Sequence, residues 1–75
     1  MNPAIPVVTL DCLGQKCPRP IIELARQITG VEIGEIVDLL ADDPAAKPDV
    51  AAWCRMRGHT LIAAEPPRFS VRRDA

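Results

Sequence analysis

Leu10-Asp11-Cys12-Leu13-Gly14-Gln15-Lys16-Cys17-Pro18-Arg19-Pro20 lies where a short apolar run ends and a helical pattern begins. Upstream, Val7-Val8-Thr9-Leu10 is a β-branched run after Pro6 and reads as a strand. Downstream, Ile21, Leu24, Ala25 and Ile28 fall on one helical face between Arg19 and Thr29. Glu23, Arg26 and Gln27 fall on the other, and Gly30 reads as the helix stop. A strand that feeds a helix through one loop sets an alternating pattern, which the rest of the chain continues.

Inside that loop Cys17 immediately precedes Pro18, and proline is favoured at the first position of a helix. Cys17 then occupies the cap, facing unpaired backbone N–H groups and the positive end of the helix dipole. Those features lower a cysteine pKa, and the flanking Lys16 and Arg19 push the same way. Cys17 is therefore the candidate nucleophile.

After Gly34, Glu35 to Ala41 reads as a second strand, stopped by Asp42-Asp43-Pro44. Asp43 ahead of Pro44 has the character of a turn or helix cap. Pro48 cannot sit in a helix interior, so the reading is an irregular turn at Pro44–Lys47 and a helix from Pro48 to Arg57. Gly58 ends it, and Val50, Trp53 and Cys54 share its buried face. Thr60 to Glu65 is a third strand, Pro66-Pro67 a turn, and Arg68 to Arg72 alternates strictly as a fourth. The expected fold is α/β (α+β) in the order βαβαββ, a four-stranded mixed sheet with two helices on one face. The Cys17 loop would lie at the carboxyl end of a strand, a usual place for chemistry in such folds.

Size and charge narrow the functions open to this scaffold. Seventy-five residues make one small domain, residues 1–75, without room for a second core or a deep enclosed cavity. A formal net charge of −1 gives no global attraction to nucleic acid or to an acidic membrane surface. Met1-Asn2-Pro3-Ala4-Ile5-Pro6 lacks the basic start and apolar core of a signal peptide, and no apolar run approaches membrane-spanning length. Three cysteines, an odd number without a secretory signal, read as reduced thiols of a cytoplasmic protein.

The remaining polar and thiol groups have plainer readings beside their chemical ones. Cys12 is five residues from Cys17, and both a packing role and a disulfide or resolving role stand open. Cys54 reads as core. The cysteine and His59 spacings match no zinc pattern, so no metal and no cofactor are expected. His59 follows a helix-ending glycine, where a cationic ring suits the dipole. Asp42 and Asp43 read as turn formers and caps rather than an acid–base pair. Arg68, Arg72 and Arg73 are the only support for nucleic-acid contact, at most indirect, and more simply form a solvated edge.

The stretch Asp11 to Pro20 resembles the signature of the TusA/SirA-like sulfur-carrier proteins, Cys-Pro-x-Pro after a D-x-x-G segment. The resemblance continues through Gly34-Glu35, Ala41-Asp42-Asp43-Pro44, Trp53-Cys54 and Gly58-His59, and so covers nearly the whole chain. It implies a two-layer α/β sandwich and a cysteine, Cys17 by position, that accepts a persulfide sulfur. The donor it implies is a cysteine desulfurase or similar protein, and the sulfur passes on to a downstream acceptor protein. Relatives are implicated in tRNA thiolation, molybdenum-cofactor maturation and sulfur oxidation. Asp11, Gly14, Pro18, Arg19 and Pro20, with Lys16, then shape the loop or stabilise its thiolate. Such a carrier acts stoichiometrically through a cysteine persulfide.

Two positions depart from the family pattern. Pro48 stands where some relatives carry a basic residue, and Pro66-Pro67 replaces a glycine-rich hairpin. Two rival readings remain beside the carrier: a thiol-disulfide redox protein using Cys12 and Cys17, and a non-catalytic RNA-binding or regulatory module.

Overall fold

The structure is a computed structural model and describes residues 5–75. Most of the segment read as lacking a signal peptide, Met1 to Ala4, lies outside the described residues. Six elements follow one another: β1 (Val8–Asp11), α1 (Arg19–Ile28), β2 (Ile36–Leu40), α2 (Ala46–Arg57), β3 (Thr60–Glu65) and β4 (Arg68–Arg72). This is the βαβαββ order expected from the alternation of strand and helix patterns. The four strands form one mixed sheet in the order β1-β2-β4-β3.

Connection length explains the directions. The α1 crossover returns the chain to its starting end, so β2 runs parallel to β1, with Asp11 opposite Leu40. The two-residue turn Pro66-Pro67 permits only an antiparallel hairpin of β3 and β4. β4 then slots between β3 and β2, pairing Val37 with Val71 and Leu39 with Phe69.

One face of this sheet carries the core. Leu10, Val37, Leu39, Phe69 and Val71 meet Leu24 and Ile28 from α1 and Val50, Trp53 and Cys54 from α2. Each such large side chain contributes roughly 1.5–3 kcal/mol when fully buried, which makes this seam the main source of stability. The helices thus lie on one side of the sheet, a two-layer α/β sandwich. By strand alternation Ile36, Asp38 and Leu40 sit on the opposite face, across from Arg72, Ser70 and Arg68. Asp38 is buried there, accepts from Ser70 Oγ at 2.6 Å and pairs with the Arg68 guanidinium.

Three helix ends differ from the sequence expectation, the first being the start of α1, whose N-cap is Pro18 rather than Cys17. α2 begins at Ala46 rather than Pro48. Pro48 is the third residue of the helix, where an N–H has no intrahelical carbonyl to reach, so the ring removes no bond. The first helical bond comes one residue later, from Asp49 N–H to Ala45 O at 3.1 Å. α1 ends at Ile28 with Thr29 as its C-cap, so Gly30 stands one residue beyond the stop assigned to it. Gly58 does end α2 as expected, in the left-handed region at φ 80°, where its own and the His59 N–H both reach Cys54 O at 2.9 Å. Among the described residues no helix is long and apolar enough to cross a membrane.

Candidate functional site

Because β1 and β2 are parallel, their carboxyl ends lie side by side, and so do the loops that leave them. The loop after β1 starts with the Cys12 N–H donating to Leu40 O at 2.8 Å. Asp11 Oδ1 accepts from the Leu13 N–H at 3.1 Å, an Asx turn that bends the chain out of the strand. Gly14 takes φ 79°, the left-handed region that a side chain would resist. The turn into α1 closes with the Arg19 N–H on Lys16 O at 2.9 Å.

The loop after β2 supplies two carboxylates to hold this one. Asp42 Oδ1 accepts from the Gly14 N–H at 3.0 Å, and Asp43 Oδ2 accepts from the Cys17 N–H at 3.1 Å. The other Asp43 oxygen accepts from the Ala45 N–H at 2.9 Å and so forms the expected turn ahead of α2. The Ala45 and Cys17 N–H groups hold the Asp43 carboxyl below the usual carboxylate range.

Cys17 is half-buried at the centre of this arrangement, and the Asp43 and Asp49 carboxylates act on its thiol. Burial first, then the negative charges of Asp49 and Asp43, push its pKa up to about 11. The direction is opposite to that expected from the sequence, and the backbone donors at the helix start explain why. The N-cap of α1 is Pro18, so Cys17 lies one residue outside the cap. Of the four donors at a helix start, Pro18 and Pro20 have none and the Arg19 N–H is taken by Lys16 O. Only Ile21 is left to offer an N–H. A helix end amounts to about half a positive charge, too little to outweigh two full carboxylates beside a desolvated sulfur.

The other sequence candidates fall into place around it. Lys16 and Arg19 are exposed; Lys16 helps to hold Asp43 down, and Arg19 acts on Cys12. Pro20 is buried under the start of α1. Cys12 and Cys54 are each only 2% exposed inside the core. Burial pushes both thiols up, Cys54 to about 11, and all three cysteines are free. His59 stacks on Trp53 with ring centroids 5.3 Å apart, and its Nδ1 accepts from the Asp74 N–H at 3.1 Å. Burial lowers its pKa, so the ring is a neutral acceptor and not the cation expected from its place after α2. Arg68 pairs with Asp38, Arg72 with Asp74 at 2.8 Å, and Arg73 donates to Val31 O at 2.6 Å. Those three guanidiniums are engaged within the chain, which leaves little for a phosphate backbone.

Sequence reading missed that Asp42, Asp43 and Asp49 belong to the Cys17 site. A signal existed for the first two. They end a strand as the Cys17 loop does, and parallel pairing brings such ends together. Asp49 carried none beyond that of an ordinary acid in a helix first turn.

Two open grooves flank the loop. Pro18, Ile21, Ala52, Trp53 and Met56 line one, with Asp49 on its wall. Pro44, Pro66, Pro67 and Phe69 line the other, beside Lys47. A half-buried thiol thus sits on a fastened rim between two shallow, largely apolar grooves. The model of the family described as sulfurtransferase TusA matches residues 8–72, and the chain belongs to that family. Its members act in sulfur transfer, relaying sulfur with partner proteins.

Proposed function

We propose that this chain is a single-domain sulfur carrier of the cytoplasm, which accepts a persulfide sulfur on Cys17 and relays it. The donor is a cysteine desulfurase or similar protein, and the receiver is an acceptor protein of tRNA thiolation, cofactor maturation or sulfur metabolism. The observation that carries this reading is accessibility: Cys17 is half-buried on a rim, whereas Cys12 and Cys54 are inside the core. Thiol exchange needs a sulfur that another protein's sulfur can reach in line. The exposed Ile22 in the first turn of α1, and the exposed Met56 of α2 in the groove beside Pro18, offer apolar surface for such a partner.

The reaction asks for one thiol and no bound group. Incubated with a cysteine desulfurase and cysteine, the protein gains the mass of one sulfur, reversed by reductant and mapped to Cys17. Cys17→Ala abolishes the gain, and Cys12→Ser retains most of it. Loading that persists in Cys17→Ala sinks the assignment. Loss in Cys12→Ser, together with a Cys12–Cys17 disulfide in oxidised protein, favours thiol-disulfide chemistry instead.

A further inference from the structure

We propose that Arg73-Asp74-Ala75 is a strap over the C-terminal ends of both helices, and that His59 is its proton-sensitive latch. The inference is independent of the carrier reading and concerns the end of α1 far from Cys17.

The strap is tied to both helices and to the segment that leads into β2. The Arg73 N–H donates to Glu35 O at 2.9 Å, and the Arg73 carbonyl accepts from the Gly34 N–H at 2.6 Å. The Arg73 guanidinium donates to the carbonyls of Thr29 and Val31, at 3.3 and 2.6 Å, so a cation stands at the negative end of α1. At the end of α2, Ala75 lies over Gly58, where an added Cβ would stand 3.6 Å from the Ala75 Cβ. Beside it the Asp74 N–H donates to His59 Nδ1 at 3.1 Å, and the imidazole stacks on Trp53.

Of these bonds, only the one to His59 has an acceptor that takes up a proton near neutrality. A neutral imidazole offers one bare nitrogen, whereas the cation carries N–H on both and cannot accept. Protonation therefore sets N–H against N–H at Asp74. The charges around the ring oppose a simple reorientation. Those acting on it are Arg57 from α2 and Asp74 and Arg73 from the strap, with Arg72 of β4 and Thr60 of β3 behind Asp74. Burial, and then Arg73 and Arg57, disfavour a cationic ring. The Asp74 carboxylate attracts one, but its oxygens already accept from Arg72 Nε at 2.8 Å and from the Thr60 hydroxyl.

A ring that gains a proton thus loses the strap's amide without gaining a free carboxylate. An opened strap returns the ring to its ordinary pKa of 6.5, above its value in the closed form. Protons therefore favour opening, and between the two values each whole pH step downward populates the open form about tenfold more. Opening releases Arg73 from Thr29 and Val31 and leaves the sheet and both helices in place, a local event and not unfolding of the domain.

The test is amide hydrogen exchange, read residue by residue by NMR from about pH 7.5 to about 5. Each rate is expressed as protection relative to an unstructured chain, which removes the intrinsic pH dependence of exchange. In wild type the Gly34, Arg73 and Asp74 amides are expected to lose protection together, up to about tenfold per pH unit, while the β2–β4 ladder keeps its own. The loss follows the titration of the His59 ring, read from its Cε1–H resonance in the same samples. In His59→Asn the protection of the three amides no longer changes with pH. Constant protection in wild type overturns the proposal, as does a loss shared equally by the ladder or a His59→Asn profile that overlays wild type. A ring titration whose midpoint is displaced from the loss of protection overturns it as well, and that comparison requires no variant to fold.

Discussion

The Cys17 N–H donates to Asp43 Oδ2 at 3.1 Å, a bond between residues 26 positions apart in the chain. A second bond, Gly14 N–H to Asp42 Oδ1, spans 28 positions. Together they fasten the loop after β1 to the loop after β2. Both exist only because the α1 crossover makes the two strands parallel and leaves their carboxyl ends adjacent. The site is thus a product of sheet topology more than of the Cys-Pro-x-Pro stretch alone.

Asp43→Ala removes the acceptor for both Cys17 and Ala45, and the expected result is lower thermal stability and slower sulfur loading. The sign of the pH dependence follows from the direction in which the carboxyl is displaced. The Asp43 carboxyl is held below its ordinary value of 3.8, so the folded protein binds fewer protons there than the unfolded chain. Its contribution is complete above that ordinary value and is lost as pH falls through the depressed folded one. Melting curves of wild type and variant should differ at neutral pH and converge in acid. A constant gap down to the lowest pH that folds would contradict the linkage.

His59 gives a second pH signature in a different window. Its folded pKa lies below the ordinary 6.5, chiefly through burial against Trp53, and its Nδ1 accepts from the Asp74 N–H. A ring that must be neutral to accept contributes stability above 6.5, and that contribution is lost as pH falls through the lower folded value. Melting temperature measured from pH 8 down to about 5 should fall in wild type. His59→Asn, whose amide oxygen accepts without titrating, should be flatter across that interval. Parallel curves for the two proteins would refute the neutral-acceptor role.

Arg68→Ala leaves the buried Asp38 carboxylate with Ser70 as its remaining partner. An uncompensated buried charge costs several kcal/mol, but the Arg68 side chain is 53% exposed and water can partly replace it. The expected loss is about 1–3 kcal/mol, read as a lower urea midpoint with unchanged slope. Replacing Asp38, Arg68 and Ser70 together by apolar residues of similar volume should recover much of that loss. A single Arg68→Ala change without effect on the midpoint would show that Ser70 and solvent already satisfy the carboxylate.

What the sequence revealed was local, and what it concealed was distant. The spacing of Leu24 and Ile28, and of Val50, Trp53 and Cys54, exposed the buried faces of both helices because helical period alone decides them. The strict alternation of Arg68 to Arg72 likewise marked β4 without help from its neighbours. Pro48 misled because a rule about helix interiors was applied without knowing where the helix begins. Cys17 misled for a deeper reason. Its neighbours in sequence, Lys16 and Arg19, are cations, but its neighbours in space, Asp43 and Asp49, are anions. The sign of the field at a thiol cannot be read from adjacent residues when the fold brings others closer. His59 failed in the same way, since the Asp74 N–H that fixes its neutral form arrives from 15 residues downstream.

The fastening of the Cys17 loop also bears on how long any partner can stay. A loop that must be ordered on docking subtracts conformational entropy from every encounter, roughly 1–2 kcal/mol for each backbone residue fixed. Here the Asx turn at Asp11, the two carboxylate tethers and the prolines on either side of Arg19 have already fixed it. A partner therefore meets the sulfur at a settled position and needs only a modest contact area to engage it. Modest contacts dissociate quickly, which suits the proposed carrier, since its donor and its acceptor would each have to release it in turn.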